Sequence, residues 1–392
     1  MTSLVPVPQI ERFEVLDALR SVALFGILLA NVLYWSGWGM VTDAQRLEWA
    51  GADVVLWQYR LHHLLLDGKF YTLFSLLFGV GFALQLQRLA RYGDDGKRIY
   101  RRRMLVLLGI GLVHSYLVWD GDILTLYALL GLLLPAFLWC SGRTLVMTGL
   151  ALVLVVPFAG KALFAALDWA PHETLYAFSD GLAKALGADP APTRILEWMQ
   201  RSDVEGWMAW VVSGPWYTWG LRLEVWRIPK VLGIMLIGMA AGRRLAAGTL
   251  LCDRRLLWRV FLAGMAVGLP ASAVYAWTPG LGQASWPSMV GTFPMGLAYA
   301  AGFALAWPAA SRWLGILVPA GRMALTNYLS HSVVGIVLFY GIGFGMVGRL
   351  QVWAIYAVAV ALFALQVAVS RWWLSSHAQG PMEALWRRWT YR

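Results

Sequence analysis

Charge is what this sequence has least of: Asp, Glu, Lys and Arg together make up 14% of 392 residues, against 59% for the hydrophobic set. A soluble chain of this length carries roughly 25% charged residues, so a soluble globular fold is excluded. The mean hydropathy of +0.61 places the chain among polytopic membrane proteins. Cysteine is almost absent, and Cys140 and Cys252 cannot make a disulfide framework. Only six histidines occur, at spacings that match no metal-ligand set, so no metal is expected. Acidic residues are outnumbered 21 to 32, giving a net charge of +11. In a soluble domain that excess would suggest nucleic acid, but here most arginines lie in short stretches between apolar runs, where positive-inside topology accounts for them. No nucleic-acid partner is expected. No repeat of about 20 to 50 residues and no inverted repeat of the transporter kind is visible.

What is there is a series of long apolar runs. Runs of about twenty residues, the length that spans a bilayer as a helix, lie near 16–36, 70–88, 103–119, 122–140, 145–167, 226–246, 258–278, 289–307, 320–341 and 351–374. They predict an all-α protein of about ten transmembrane helices forming a single transmembrane domain over 1–392, with the lipid bilayer as its partner. The opening MTSLVPVPQIERFEVLDALR has no positively charged n-region, which predicts that the run after it stays as the first span. The amphipathic stretch 54–68 is compatible with spanning, re-entering or lying in the interface.

Lys and Arg orient these runs. Arg88 to Arg103 carries seven basic residues and Arg243 to Arg255 carries four, so both loops belong in the cytoplasm. With ten spans, Arg143, Arg312, Arg322 and the tail residues Arg387, Arg388 and Arg392 fall on the same side, and both termini are cytoplasmic. The opposite loops are richer in carboxylates. The longest, 168–225, contains Pro171, Pro190, Pro192, an amphipathic RILEWMQ and five tryptophans between Trp198 and Trp219. It reads as an extracytoplasmic interfacial loop or cap.

Polar groups inside apolar runs raise a functional hypothesis by default. His114 lies about one turn before Trp119-Asp120-Gly121-Asp122. An imidazole there, with Asp120 or Asp122 accepting from one ring nitrogen, would be a base near neutral pH. The first span carries Asp17, Arg20 and Asn31; Arg20 either meets an anionic ligand or pairs with Asp17 and snorkels. His63 and Asp67 are four apart, as base and orienter would be on a helix, and Lys69 follows as an isolated cation. Asn327 and His331 form a second such pair. Gly79 and Gly81 permit close helix approach. Glu383, just after Pro381, suits the first turn of its own helix.

In that order and spacing, LDALRSVALFGILLAN, KFYTLFSLLFG, GLVHSYLVWDGDILTLYALLG, GRMALTNYL and QGPMEALWRRWTY resemble the YeiB-like family of bacterial membrane proteins, over residues 16 to 391. The wider superfamily includes transmembrane acyltransferases similar to the lysosomal heparan-glucosaminide acetyltransferase, which passes an acetyl group from cytosolic acetyl-CoA to a sugar amine on the far side. The Asp17-x-x-Arg20 pattern followed by Asn31 is similar to theirs. Two positions depart from the pattern: Ser21 replaces the usual glycine, and Thr42 stands where the acetyltransferase has its loop histidine.

The resemblance implies an acyltransferase of the bacterial inner membrane. It would take an acyl group from cytosolic acyl-CoA and deliver it to a hydroxyl or amine of an extracytoplasmic small-molecule acceptor. His114, Asp120 and Asp122 would be catalytic. Asn31, Lys69 and Asn327 would contact substrate, joined by His63 and His331 from outside the matched motifs, and Arg20 with Arg101, Arg102 and Arg103 would attract the phosphates of coenzyme A. The same groups would serve a transporter or export channel, which stands as the alternative. A homo-oligomer is compatible with the sequence.

Overall fold

The structure, a computed structural model, describes residues 13–89 and 93–391. The N-terminal residues 1–12, positions 90–92 of the basic loop and Arg392, on which part of the charge argument rests, lie outside the described residues. Every regular element among the described residues is helical. Helix α1 (Glu14–Trp35) is followed by α2 (Asp43–Ala50) and α3 (Ala52–Leu61), and a π turn (His62–Leu66) leads into α4 (Lys69–Leu89). Helices α5 (Gly93–Leu117) and α6 (Leu124–Leu133) flank the Asp120 turn; α7 (Gly142–Leu150) runs through a second π turn into α8 (Val156–Ala166). Then come α9 (Pro171–Ala185), α10 (Ile195–Gln200), α11 (Val204–Glu224), α12 (Arg227–Ala246), α13 (Arg254–Trp277) and α14 (Trp286–Leu314). Helices α15 (Val318–Arg322), α16 (Ala324–Phe339), α17 (Val352–Ser376) and α18 (Pro381–Tyr391) complete the described chain.

Among the described residues, six helical stretches are long and apolar enough to cross a membrane: Glu14–Trp35, Ala52–Leu89, Gly142–Ala166, Arg254–Trp277, Trp286–Arg322 and Val352–Ser376. The pair α11 and α12, bent by 69°, makes a seventh if taken as one span. The other spans expected from sequence correspond to α5, whose first half holds the basic run, and to the shorter apolar helices Leu124–Phe137 and Ala324–Phe339. Large apolar side chains such as Trp139, Trp313 and Trp353 are exposed on the outside, as a lipid-facing surface requires. The stretch 54–68 belongs to the continuous helical run Ala52–Leu89.

Two local features position the site. A Cβ on Gly79 would lie 2.0 Å from the Met235 carbonyl oxygen, and one on Gly238 2.2 Å from that of Leu76. Only glycine lets the α4 and α12 backbones touch in this way. At the α11–α12 bend, Trp226 has φ 56°, the left-handed region that bulky residues avoid. Its ring packs on Phe164 at 5.1 Å and fills the space a side chain at Gly160 would need. The 168–225 segment is helical. Its α9 packs on α11, with Ser179 Oγ donating to Ser213 O at 3.0 Å.

Candidate functional site

Two cavities, of about 460 and 510 Å³, are stacked along α1. Arg20 lines the first and Asn31 the second; eleven residues of helical rise set them about 16 Å apart. Tyr127 and Tyr328 line both and are almost fully buried, so they form the partition between them. Tyr127 Oη lies 2.7 Å from Ser75 Oγ, and Tyr328 Oη accepts the Ile123 N–H at 3.1 Å.

The first cavity is arginine-rich. Arg20, Arg88, Arg103, Arg322 and Arg387 face it, against Asp17 and Glu383. Arg20 is paired with Asp17. Arg103 stacks on Trp386 at 3.8 Å, a cation–π contact, and Trp386 Nε1 donates to the Arg103 carbonyl at 2.8 Å. Arg101 and Arg102, expected beside Arg103, are exposed and outside the cavity wall, because successive helical residues point about 100° apart. Glu383 stands in the first turn of α18, as its place after Pro381 predicts, but its carboxylate bonds to another helix. It accepts the N–H groups of Leu325 and Thr326 at 2.7 and 3.1 Å and the Thr326 hydroxyl at 2.6 Å, and so caps α16.

The second cavity is lined by His62 and His63 from the π turn and by Asp67 just beyond it. Such turns recur at functional sites because they re-aim side chains within a helix. His63 Nδ1 lies 2.8 Å from the Tyr59 carbonyl. A carbonyl only accepts, so Nδ1 carries the proton and Nε2, 3.9 Å from Asp67 Oδ2, is the basic nitrogen. Asp67 also accepts from Tyr275 Oη at 2.7 Å and Gln283 Nε2 at 2.5 Å. Asn31 faces the same space and makes no side-chain hydrogen bond among the described residues.

Asp120 and Asp122 also line this cavity. Asp120 accepts from Trp210 Nε1 at 3.0 Å and Thr218 Oγ1 at 3.3 Å; burial pushes its carboxyl above the ordinary value despite these donors. Asp122 faces His114, with Nδ1 to Oδ1 at 2.9 Å, and its other oxygen accepts the N–H and hydroxyl of Thr125 at 2.7 and 2.6 Å. His114 itself lines neither cavity. It is 2% exposed, packs 5.4 Å from the Tyr328 ring, and its Nε2 has no hydrogen-bond partner among the described residues. Its partner Asp122 and its ring neighbour Tyr328 both line the second cavity, so His114 touches residues of that wall without lining it.

Three further expected site residues sit elsewhere. Lys69 is fully buried and donates to the His63 carbonyl at 2.5 Å, holding the π turn rather than facing the cavity. Asn327 donates to Ala320 O and Ser370 Oγ, each at 3.0 Å, and His331 Nε2 lies 2.6 Å from Gln366 Oε1. That polar stripe fastens α16 to α17. Ser21 donates to the Leu317 carbonyl at 2.5 Å. Thr42 caps α2, exchanging bonds with Gln45.

Sequence reasoning missed Arg222, Arg227, Tyr275 and Gln283, all in the second cavity wall. The signal was present in WGLRLEVWRIPK, where two arginines interrupt an aromatic and aliphatic stretch away from the basic loops.

Residues 241–392 match the family model described as "Protein of unknown function (DUF418)". The chain is similar to the uncharacterized protein YxaH of Bacillus subtilis (strain 168), 29% identical with 100% of this chain and 97% of that protein covered. It is 30% identical to the uncharacterized protein YeiB of Escherichia coli (strain K12), with 97% of each covered. It is also 30% identical to an uncharacterized 39.9 kDa protein in the amylase 3' region of Bacillus acidopullulyticus, with 98% of this chain and 96% of that protein covered. No solved structure matches the chain.

Proposed function

The chain belongs to the YeiB-like family of bacterial membrane proteins, and from that premise we propose that it is a transmembrane acyltransferase of the bacterial inner membrane. Counting α5, α6, α12 and α16 beside the six apolar spans gives ten crossings with both termini in the cytoplasm. The arginine cavity then opens inward and the histidine cavity outward, beneath a 168–225 cap. The observation that carries the reading is the partition: two cavities of ligand size meet at Tyr127 and Tyr328. A thioester entering from one side thus comes within a side chain's thickness of an acceptor entering from the other.

In this reading Arg20 and Arg103 hold the phosphates of coenzyme A. The acceptor hydroxyl or amine sits against His63. Its oxygen or nitrogen attacks the thioester carbonyl, its proton passes to His63 Nε2, the carbon–sulfur bond breaks, and the departing thiolate takes that proton. Asp67 stabilises the imidazolium, and Tyr59 O fixes the tautomer. The free amide of Asn31 is the oxyanion donor, a role contributing about 3 kcal/mol when well placed. His114 becomes a positioning residue that holds Asp122.

Purified protein with labelled acetyl-CoA and envelope extracts tests this. His63→Ala and Asp67→Asn in folded protein are expected to remove labelled product, whereas His114→Ala retains it. A second reading, transport of a small solute, draws on the bent α11–α12 pair, since broken helices mark many transporter sites. Absence of turnover with every acyl-CoA, together with proton-coupled solute flux in liposomes, would replace the first reading with the second.

A further inference from the structure

The two tyrosines of the partition do not spend their hydroxyl protons alike. Tyr127 and Tyr328 are the two residues common to both cavity walls, and both are buried. Ser75 Oγ lies 2.7 Å from the Tyr71 carbonyl oxygen and 2.7 Å from Tyr127 Oη. A carbonyl only accepts, so the Ser75 proton goes to Tyr71 O, and Ser75 Oγ accepts the proton of Tyr127. Tyr127 therefore has no proton left to offer a ligand.

Tyr328 is the opposite case. Its oxygen accepts the Ile123 N–H at 3.1 Å, and among the described residues its own proton has no acceptor. The bond from Ile123 uses only a lone pair. It fixes the hydroxyl beside the turn that carries Asp122 and polarises the O–H as a donor. A phenol that is 2% exposed and only accepts leaves its donor unused, and this one borders open space on two sides.

The surroundings suit a developing negative charge. Asn31 of α1 lines the second cavity with an amide that has no hydrogen bond among the described residues, and α1 packs against the α16 that carries Tyr328. On the other side Phe74 and Phe78 line the first cavity and set their rings against Tyr127. No charged side chain among the described residues lines both cavities. A donor at the junction thus acts in apolar company, where a hydrogen bond to an oxyanion is worth more than in water.

We infer that Tyr328 is a second oxyanion donor of the acyl transfer, beside Asn31. The thioester comes from the first cavity and the acceptor from the second, so a group common to both walls stands where the carbonyl is attacked. As the acceptor bonds to the carbonyl carbon, the carbonyl π pair moves onto oxygen, and the Tyr328 O–H donates to it. The pair returns when the carbon–sulfur bond breaks, and the phenol keeps its proton throughout. The inference rests on the acyl-transfer reading and adds a group to its chemistry.

Transfer from labelled acetyl-CoA to envelope extract by the purified full chain, beside calorimetric binding of free CoA, tests it. In folded Tyr328→Phe, kcat is expected to fall about a hundredfold or more, the size of a lost oxyanion donor. The KM for acetyl-CoA and the Kd of CoA, which has no thioester carbonyl, should stay unchanged, because the lost bond forms only in the transition state. Gln366→Ala, which loosens α16 from α17 away from both cavities, should keep kcat. If Tyr328→Phe does not fold, ring-fluorinated tyrosines at 328 retain the acceptor for Ile123 and make the hydroxyl a stronger donor in steps, and kcat should rise with its acidity. An unchanged kcat in Tyr328→Phe, or no response to fluorination, overturns the inference and leaves the acyl-transfer reading standing. So does a CoA Kd that weakens in step with kcat, which reports a collapsed partition. A wild type that transfers from no acyl-CoA removes the reading and the inference together.

Discussion

The hydroxyl of Tyr328 accepts the backbone N–H of Ile123 at 3.1 Å, which ties the partition between the cavities to the turn that carries Asp122. Tyr328→Phe leaves that partly buried N–H without its acceptor, a loss of up to about 1–3 kcal/mol. A lower melting temperature in detergent is expected. An unchanged value would mean that water or a shifted carbonyl replaces the hydroxyl.

His114 and Asp122 form a buried hydrogen-bonded pair. His114→Ala removes a partner of a charged group, worth about 1.5–3 kcal/mol, so thermal stability should fall. In any acyl-transfer assay the remaining folded fraction should lose less than tenfold. A loss beyond a hundredfold in folded protein would return His114 to the chemistry.

Glu383 caps α16 from another helix. Glu383→Ala should cost about 1 kcal/mol, by analogy with a lost N-cap, and Glu383→Gln less, because the amide oxygen still accepts. Chemical denaturation of the two variants measures the order, which fails if the two are equal.

His331 and Gln366 join α16 to α17 at 2.6 Å. A double-mutant cycle with His331→Ala and Gln366→Ala should give a coupling energy of roughly 0.6 kcal/mol, with about 1.7 as the ceiling seen for such bonds in membranes. A coupling of zero would show that apolar packing alone fastens the two helices.

Asp253 caps α13 from a connection between helices. The Leu256 N–H at 2.9 Å, and then Arg244, hold its carboxyl below the ordinary carboxylate value. A lowered folded value means the stabilisation is present above the unfolded pKa of about 3.9 and disappears as pH falls through the folded one. The melting-temperature gap between wild type and Asp253→Asn should therefore exist at neutral pH and close below about pH 4. A gap that persists in acid would point to hydrogen bonding independent of charge.

The helical membrane character was legible because apolar runs and arginine loops are local signals. So was the His114 partnership with a carboxylate of the following turn, eight residues away. What was not legible is which side of a helix meets open space. Asn327 and His331 share a face as their spacing predicts, but that face meets α17, and nothing within α16 records the neighbour. Glu383 pairs with backbone 57 and 58 residues away, beyond any periodic pattern. Arg222 and Arg227 were hidden because positive-inside reasoning accounts for basic residues by loop position and does not ask which of them line a cavity.

Helix α1 has one more consequence. Arg20 and Asn31 are carried by a single uninterrupted rod that forms a wall of both cavities. If occupancy of one compartment displaces that rod, the free energy of the displacement enters the affinity of the other, and by reciprocity the two ligands alter each other's binding by the same factor. The two compartments are then thermodynamically linked even while the tyrosines keep their contents apart.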